Sequence, residues 1–510
     1  MKKTFTQSMA WLHTWGGLLF GWLLFAIFLT GTLAVFDQEI DRWMRPEVPV
    51  RDVPQAQAVE HALAWLGEHK AGEQPWSISL PTDRSPELVV STGDRRHGGG
   101  QHLDPASGEP LEVRDTAGGL FFFRFHFTLD LPRDIGIWVV GLAAMAILAA
   151  LVSGIVIHKK IFKEFFTFRP GKGQRSWLDA HNASAVLLLP FHLMISYTGL
   201  VIFFLIYMPA ALNALFDGDF RAYAEAQHGH AEERRAPVAA TAAPLVAMAP
   251  ILAEAQRQMG PVGGLVIHNP GRSDARIEVR RVLGNRIALT KGQNMVFHGV
   301  TGEMLEGPPQ MRASQLTQRV MAGLHFAQFG GYPMRWLYFL CGLASCAMIA
   351  TGLLLFTVKR RRRPEAEGAV AAATYRFAER ANVAVIAGLV LAAVAYLWGN
   401  RLLPAELAQR RAWEVRLFFL VWALSLLHAW LRPWRRAWRE QLWSAAALCA
   451  ALPLLSALSL EQPWNDTTRV LLELTSVAMA LALGWTAWRS DRPTPARASL
   501  KASSELLEAN

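Results

Sequence analysis

The chain has 510 residues, is 52% hydrophobic and has a mean hydropathy of +0.19. That is too apolar for an ordinary soluble protein and too polar for a membrane bundle with short loops, so several membrane helices with sizeable aqueous segments fit best. The net charge of +10 would suit a nucleic-acid binder, but the basic residues cluster beside apolar runs, where they set membrane orientation, and no nucleic-acid partner is expected.

Met1-Lys2-Lys3 precedes an apolar run from Ala10 to Phe36. The run is too long for a signal peptide and has no A-x-A exit, so an uncleaved first span is expected. Further apolar runs follow at about 136–158, 183–208, 335–358, 381–398, 415–431, 441–458 and 469–488. Each approaches the roughly 20 residues that cross about 30 Å of hydrocarbon, and helix is the form that satisfies the backbone there. Trp11, Trp138, Trp177, Trp336 and Trp443 flank these runs as interface anchors do. Cys341, Cys346 and Cys449 all fall inside apolar runs and no CxxC occurs, so iron–sulfur and structural zinc sites are not expected.

Lys159, Lys160, Lys163, Arg169, Lys172 and Arg175 follow the second span, Lys359 to Arg363 the fourth, and Arg432, Arg435, Arg436 and Arg439 the sixth. All become cytoplasmic if the N-terminus is inside, with 399–414 a mild exception. Segments 37–135 and 209–334 then face outward. Each holds a helix-like run (Ala58–Leu66; Leu245–Met259) followed by strand-like runs (Trp76–Leu80 and Leu88–Ser91; Gly264–His268 and Arg276–Val282). Each ends in a turn word, Asp104 to Leu111 and His298 to Leu305. Flexible stretches are expected at Tyr223–Val246 and around His97 to Gly100.

The expected fold is therefore an all-α membrane bundle of about eight transmembrane helices, the first four a duplicated pair, with two α+β domains outside the membrane. The division is 1–36 for the first helix, 37–135 for an outward domain, and 136–208 for the second and third helices with a cytoplasmic loop. Then come 209–334 for a second outward domain, 335–363 for the fourth helix, 364–488 for an additional four-helix membrane region and 489–510 for a cytoplasmic tail.

The histidines give this layout a chemistry. His13 lies 18 residues before Gly31, and His181 lies 18 before Gly199. His126 and His325 precede Gly154 and Gly352 by 28 and 27. Two parallel repeats imply an axis along the membrane normal that sets equivalent side chains face to face. Matched imidazoles are then expected to hold the iron of two b-type haems, His13 with His181 at the cytoplasmic end and His126 with His325 at the outer end. The aromatic run Phe121 to Phe127 suits a porphyrin edge, and Arg124 suits a propionate. The alternative for these residues is an amphipathic segment in the membrane interface. His192 follows His181 by 11 residues, three turns on a straight helix, so it should face the same way about 16 Å deeper. Ligation of the outer haem or of a further one, and relay of electrons or protons, are all open for it. His158, at the end of the second span, reads equally as a competing inner ligand or as a headgroup contact. His428 reads as a packed histidine. The recurring Thr30-Gly31, Ser153-Gly154, Thr198-Gly199 and Thr351-Gly352 read chiefly as close helix contacts. No P-loop, GxGxxG or HExxH is present.

Leu12-His13-Thr-Trp-Gly-Gly, Leu29-Thr-Gly31, Phe36 to Ile40, Ser153-Gly-Ile155 and Leu324-His325 together resemble the bacterial PepSY-associated transmembrane proteins, also called iron-regulated membrane proteins. Ser107-Gly-Glu109 and Thr301-Gly-Glu303 make the outward segments resemble PepSY domains. The resemblance covers about residues 9–363 and leaves the last four spans without a family reading. It implies a bacterial inner-membrane bi-haem reductase of ferric siderophores, with His13, His181, His126 and His325 as ligands and His158 and His192 as further candidates. The implied partners are a ferric siderophore or other ferric chelate, the lipid bilayer, and a donor that is either quinol or a partner reductase. The competing reading is a non-redox binding or regulatory membrane protein.

Overall fold

The computed structural model describes residues 4–93, 100–158, 169, 172–228, 240–284, 286–290, 292–308, 311–360 and 368–491. The expected basic residues Lys159, Lys160, Lys163 and Arg361 to Arg363 lie outside them, as do His97 to Gly99 and the tail beyond residue 491. The chain forms two compact bodies, Met1–Ile40 with Asp115–Ser196 and Phe339–Asn510, and Asp41–Arg114 with Tyr197–Tyr338.

Among the described residues six helices are long and apolar enough to cross a membrane: Phe5–Ala34, Arg133–Ile157, Gly331–Arg360, Ala369–Leu402, Arg410–Leu431 and Thr467–Ser490. Two bent pairs, Gln174–Leu187 with Leu189–Ile202 and Trp434–Ala450 with Leu452–Ser459, bring the total to eight when each pair is taken as one span. The protein is thus a multi-pass membrane protein. The third span was expected to be one straight helix over 183–208, and it is instead broken at Leu188 and bent by 64°. Pro190 explains the break, because its ring crowds the carbonyl one turn back and it has no N–H to give it. Pro453 does the same in the seventh span, which bends by 41°. The fifth span carries a π-helical turn, Val383–Ala387.

The first, fourth and fifth spans are tied by one buried amide. Asn382 accepts from Trp22 Nε1 at 2.8 Å and donates to the Leu353 carbonyl at 3.2 Å. Leu420, Leu424, Leu427 and Leu431 on the sixth span and Leu471, Leu474 and Leu481 on the eighth remain exposed, as lipid-facing positions do.

Among the described residues the other body holds eight strands, β1 (Trp76–Ser79), β2 (Leu88–Thr92), β3 (Gln101–Leu103), β4 (Pro110–Leu111), β5 (Val262–His268), β6 (Arg276–Arg281), β7 (Asn294–His298) and β8 (Met304–Glu306). They form one antiparallel sheet in the order β4-β3-β2-β1-β5-β6-β7-β8. The expectation of two separate outward domains is therefore corrected: strands from both segments share one sheet and one core. β1 pairs with β5, setting Trp76 opposite Ile267 and Ile78 opposite Leu265. An unpaired edge strand is a template for mispairing, and joining β1 to β5 removes one such edge from each half. Gly264 permits the seam, since a Cβ there would stand 2.5 Å from the Ile78 carbonyl oxygen. Helices Gln55–His69 and Met248–Met259 contribute Ala58, Val59, Ala62, Leu66, Ile251, Leu252 and Ala255 to a core continuous with Ile78, Val90, Leu265, Ile277, Val279 and Phe297. The two turn words form the β3–β4 and β7–β8 hairpins, with Gly108 and Gly302 at φ of +78° and +74°.

The domain limits shift as well. Residues 115–135 belong to the helical body rather than to the sheet. The stretch expected as linker from Tyr223 begins inside a helix, Phe220–His228.

Candidate functional site

His13 on the first span and His181 on Gln174–Leu187 come together, with ring centres 6.2 Å apart and planes at 67°. His13 Nδ1 lies 2.9 Å from the Ala150 carbonyl and 3.2 Å from Ser153 Oγ. His181 Nδ1 lies 2.9 Å from the Met348 carbonyl. A carbonyl only accepts, so each Nδ1 carries the proton and each Nε2 keeps a bare lone pair. Two imidazoles that clasp one metal atom through Nε2 need centres about 6 Å apart, from about 2 Å of metal–nitrogen bond and roughly 1 Å of ring on each side. The pair has this spacing and the right tautomers.

Each of the four matched histidines is seated on a small-residue word of another helix. A Cβ on Gly154 would meet His13 Cε1 at 3.3 Å, and one on Gly352 would meet His181 Cε1 at 2.9 Å. On Gly31 it would meet His126 Nδ1 at 2.5 Å, and on Gly199 it would meet His325 Cε1 at 2.9 Å. The carbonyls that hold His13, His181 and His126 belong to Ala150, Met348 and Ile27, each four residues before its glycine. Glycine makes the notch and the preceding turn supplies the acceptor. Sequence reasoning measured the spacing within one helix and took these words mainly as helix contacts. The usable signal was that four histidines face four Ser/Thr-Gly words.

His126 lies on helix Leu120–Thr128, with Nδ1 2.8 Å from the Ile27 carbonyl. The aromatic run around it serves packing. Phe121 stacks on Tyr396 at 4.9 Å and meets Phe418 edge-on at 4.9 Å, and Phe125 meets Phe418 at 5.6 Å. The additional helices thus buttress the side of this helix away from the first span. Just upstream, Tyr396 OH donates to the Gly118 carbonyl at 2.9 Å. Glu414 accepts from Thr116 Oγ1 at 2.7 Å, from the Ala117 N–H at 2.9 Å and from Asn400 at 2.9 Å, and is paired with buried Arg410. Arg124 is exposed, and its charge bears on Asp130. His325, on Ala313–Phe326, has Nδ1 3.2 Å from Thr198 Oγ1. His126 and His325 fall in different bodies, and each is described by its own seat.

His192 is fully buried. The break at Leu188 removes the straight-helix relation to His181 expected for it. Ser345 Oγ donates to the Cys341 carbonyl at 2.7 Å and therefore accepts from His192 Nε2 at 2.9 Å. His192 Nδ1 is left without a partner among the described residues, and the ring lies 6.4 Å from Phe28. His158 Nε2 accepts from Asn182 Nδ2 at 2.6 Å, so that nitrogen is already engaged. His428 is not simply packed: its Nε2 lies 2.8 Å from Glu440 and its Nδ1 3.2 Å from Gln441. Among the described residues no group of three or more His, Cys, Asp or Glu is arranged for a metal ion. That arrangement differs from the two-histidine clasp above.

Residues 10–359 match the family described as PepSY-associated TM region. The chain belongs to this family. The match takes in all four matched histidines and their seats, and stops before the four additional helices of this PepSY-associated protein. It is also 26% identical over 309 residues to an uncharacterized protein of Pseudomonas aeruginosa, covering 58% of this chain and 75% of that one.

Proposed function

We propose that this PepSY-associated protein is a b-type membrane cytochrome of the bacterial inner membrane. It would hold two haems and pass electrons outward to a ferric chelate, such as a ferric siderophore, during iron uptake. The observation that carries the reading is the 6.2 Å His13–His181 pair with both Nδ1 protons committed to backbone carbonyls. His13 and His181 would hold one haem, and His126 and His325 each stand over a glycine notch of the kind a second haem ligand would use. Bound haem supplies a reversible one-electron carrier at each site.

The chain's own part is positional. The carbonyls of Ala150, Met348 and Ile27 fix the tautomers and raise the basicity of the free nitrogens. The glycine notches fix where each ring stands. Reduction of the chelated metal weakens its fit to hard oxygen ligands, which frees iron from its carrier. The basic clusters after the second, fourth and sixth spans support a cytoplasmic N-terminus, with segments 37–135 and 209–334 on the outer side. The donor on the inner side is a quinol or a partner reductase.

The test is the haem-to-protein ratio of the purified full-length protein. Two haems and split b-type bands after dithionite are expected. His13→Ala and His181→Ala should each lower the ratio to one. Colourless protein from haem-sufficient cells, or two variants with undiminished haem, overturns the reading.

A further inference from the structure

One buried cation lies away from these seats. Alternation along β6 puts Ile277, Val279 and Arg281 on the core face of the sheet. Arg281 stands opposite Val262 of β5 and is 8% exposed. Its Nε has no hydrogen-bond partner among the described residues. Burial and the charge of Arg286 both push its guanidinium below the ordinary value. Thr290 is likewise buried, and its Oγ1 has no partner among the described residues.

The loop joining these residues rests on the His325 helix. The Leu289 N–H donates to the Arg319 carbonyl at 2.8 Å. The Ile287 carbonyl, next to Arg286, fills the space a Cβ on Gly323 would need. His325 follows Gly323 by two residues. Arg286 and Thr290 thus lie on a loop whose backbone rests against the helix that carries this histidine.

A buried cation is tolerated when an anion or acceptors compensate it. Guanidinium and hydroxyl donors together match a planar group with two acceptor oxygens. We propose that Arg281, Arg286 and Thr290 form a carboxylate-binding site that docks an anionic ferric chelate beside the His325 helix. The identity of the ligand as a chelate rests on the electron-transfer reading above. The anion site itself rests on the unpartnered Arg281 Nε and Thr290 Oγ1.

The probe is ferric citrate, titrated into the full-length protein in detergent, with Kd, Tm and haem content read together. Arg281→Met should weaken binding by roughly thirtyfold or more. It should leave the haem-to-protein ratio unchanged and should not lower the Tm of the unliganded protein, because it removes an uncompensated charge from the core. Arg286→Gln, at an exposed position, should also weaken binding and serves if the first variant does not fold. Unchanged affinity in Arg286→Gln together with unchanged affinity or a lowered unliganded Tm in Arg281→Met overturns the site. So does a fall in haem content, which would make the occupant the cofactor's own carboxylate. Colourless protein that binds ferric citrate through Arg281 sinks the electron-transfer reading and leaves the anion site standing. Red protein with citrate affinity indifferent to both variants sinks the site alone.

Discussion

Alanine at the glycine seats separates ring placement from ordinary helix packing. A Cβ on Gly31 would lie 2.5 Å from His126 Nδ1 and 2.7 Å from its Cε1. Relief to normal contact moves the imidazole by about 1 Å. That displacement breaks the 2.8 Å bond to the Ile27 carbonyl, a loss of about 1 kcal/mol, on top of an overpacking cost of about 1–3 kcal/mol. The total of about 2–4 kcal/mol disfavours the ligating geometry by roughly 30- to 700-fold. On Gly154 the contact is only 3.3 Å, and a shift of a few tenths of an ångström absorbs it, at below about 1 kcal/mol. Gly199 and Gly352, both at 2.9 Å, fall between. Haem content of the four single variants should therefore fall most for Gly31→Ala, less for Gly199→Ala and Gly352→Ala, and least for Gly154→Ala. If Gly31→Ala keeps its full haem complement, or if the four variants behave alike, the glycines serve helix contact and the seating argument is wrong.

Two further outcomes follow from charges. Glu414→Ala strands Arg410 in the core, where the pair is 0% and 1% exposed, and should cost about 3–5 kcal/mol, read as a lowered Tm in detergent. Hydrogen exchange should rise at the Ala117 N–H, which loses its acceptor, and unchanged exchange there would refute the clamp. Burial pushes His102 below its ordinary 6.5, against the pull of Glu87. The unfolded chain then takes up a proton at higher pH than the folded one, so this stability is full above 6.5 and is lost as pH falls from 6.5 toward the folded value. Between about pH 7.5 and about pH 5 the sheet body should lose stability, with a shallower slope in His102→Gln; equal slopes would exclude His102 as the source.

The spans were legible because about 20 apolar residues in a row have one good solution in lipid. The bends at Pro190 and Pro453 were legible in principle, but mean hydropathy is blind to a missing N–H. Strands β1, β2, β5 and β6 and the two turn words of segments 37–135 and 209–334 also read correctly from alternation and turn residues. Their union into one sheet did not, because β1 and β5 are distant in sequence and edge pairing leaves no local mark beyond Gly264. The His13–His181 pairing followed from matched spacing. The seats did not, since His13 rests on Gly154 rather than on Gly31 of its own helix. The run at Phe121 to Phe125 is greasy enough for either a porphyrin or a neighbouring helix, and only the contacts to Tyr396 and Phe418 decide it.

The β1–β5 seam also bears on biogenesis. β1 leaves the ribosome long before β5 exists, and two further membrane crossings intervene. Until β5 arrives, the first half carries a bare strand edge open to the wrong partner. A truncated N-terminal half should for that reason be a poor expression product, whereas two fragments divided between β4 and β5 and made in the same cell have a ready means of finding each other.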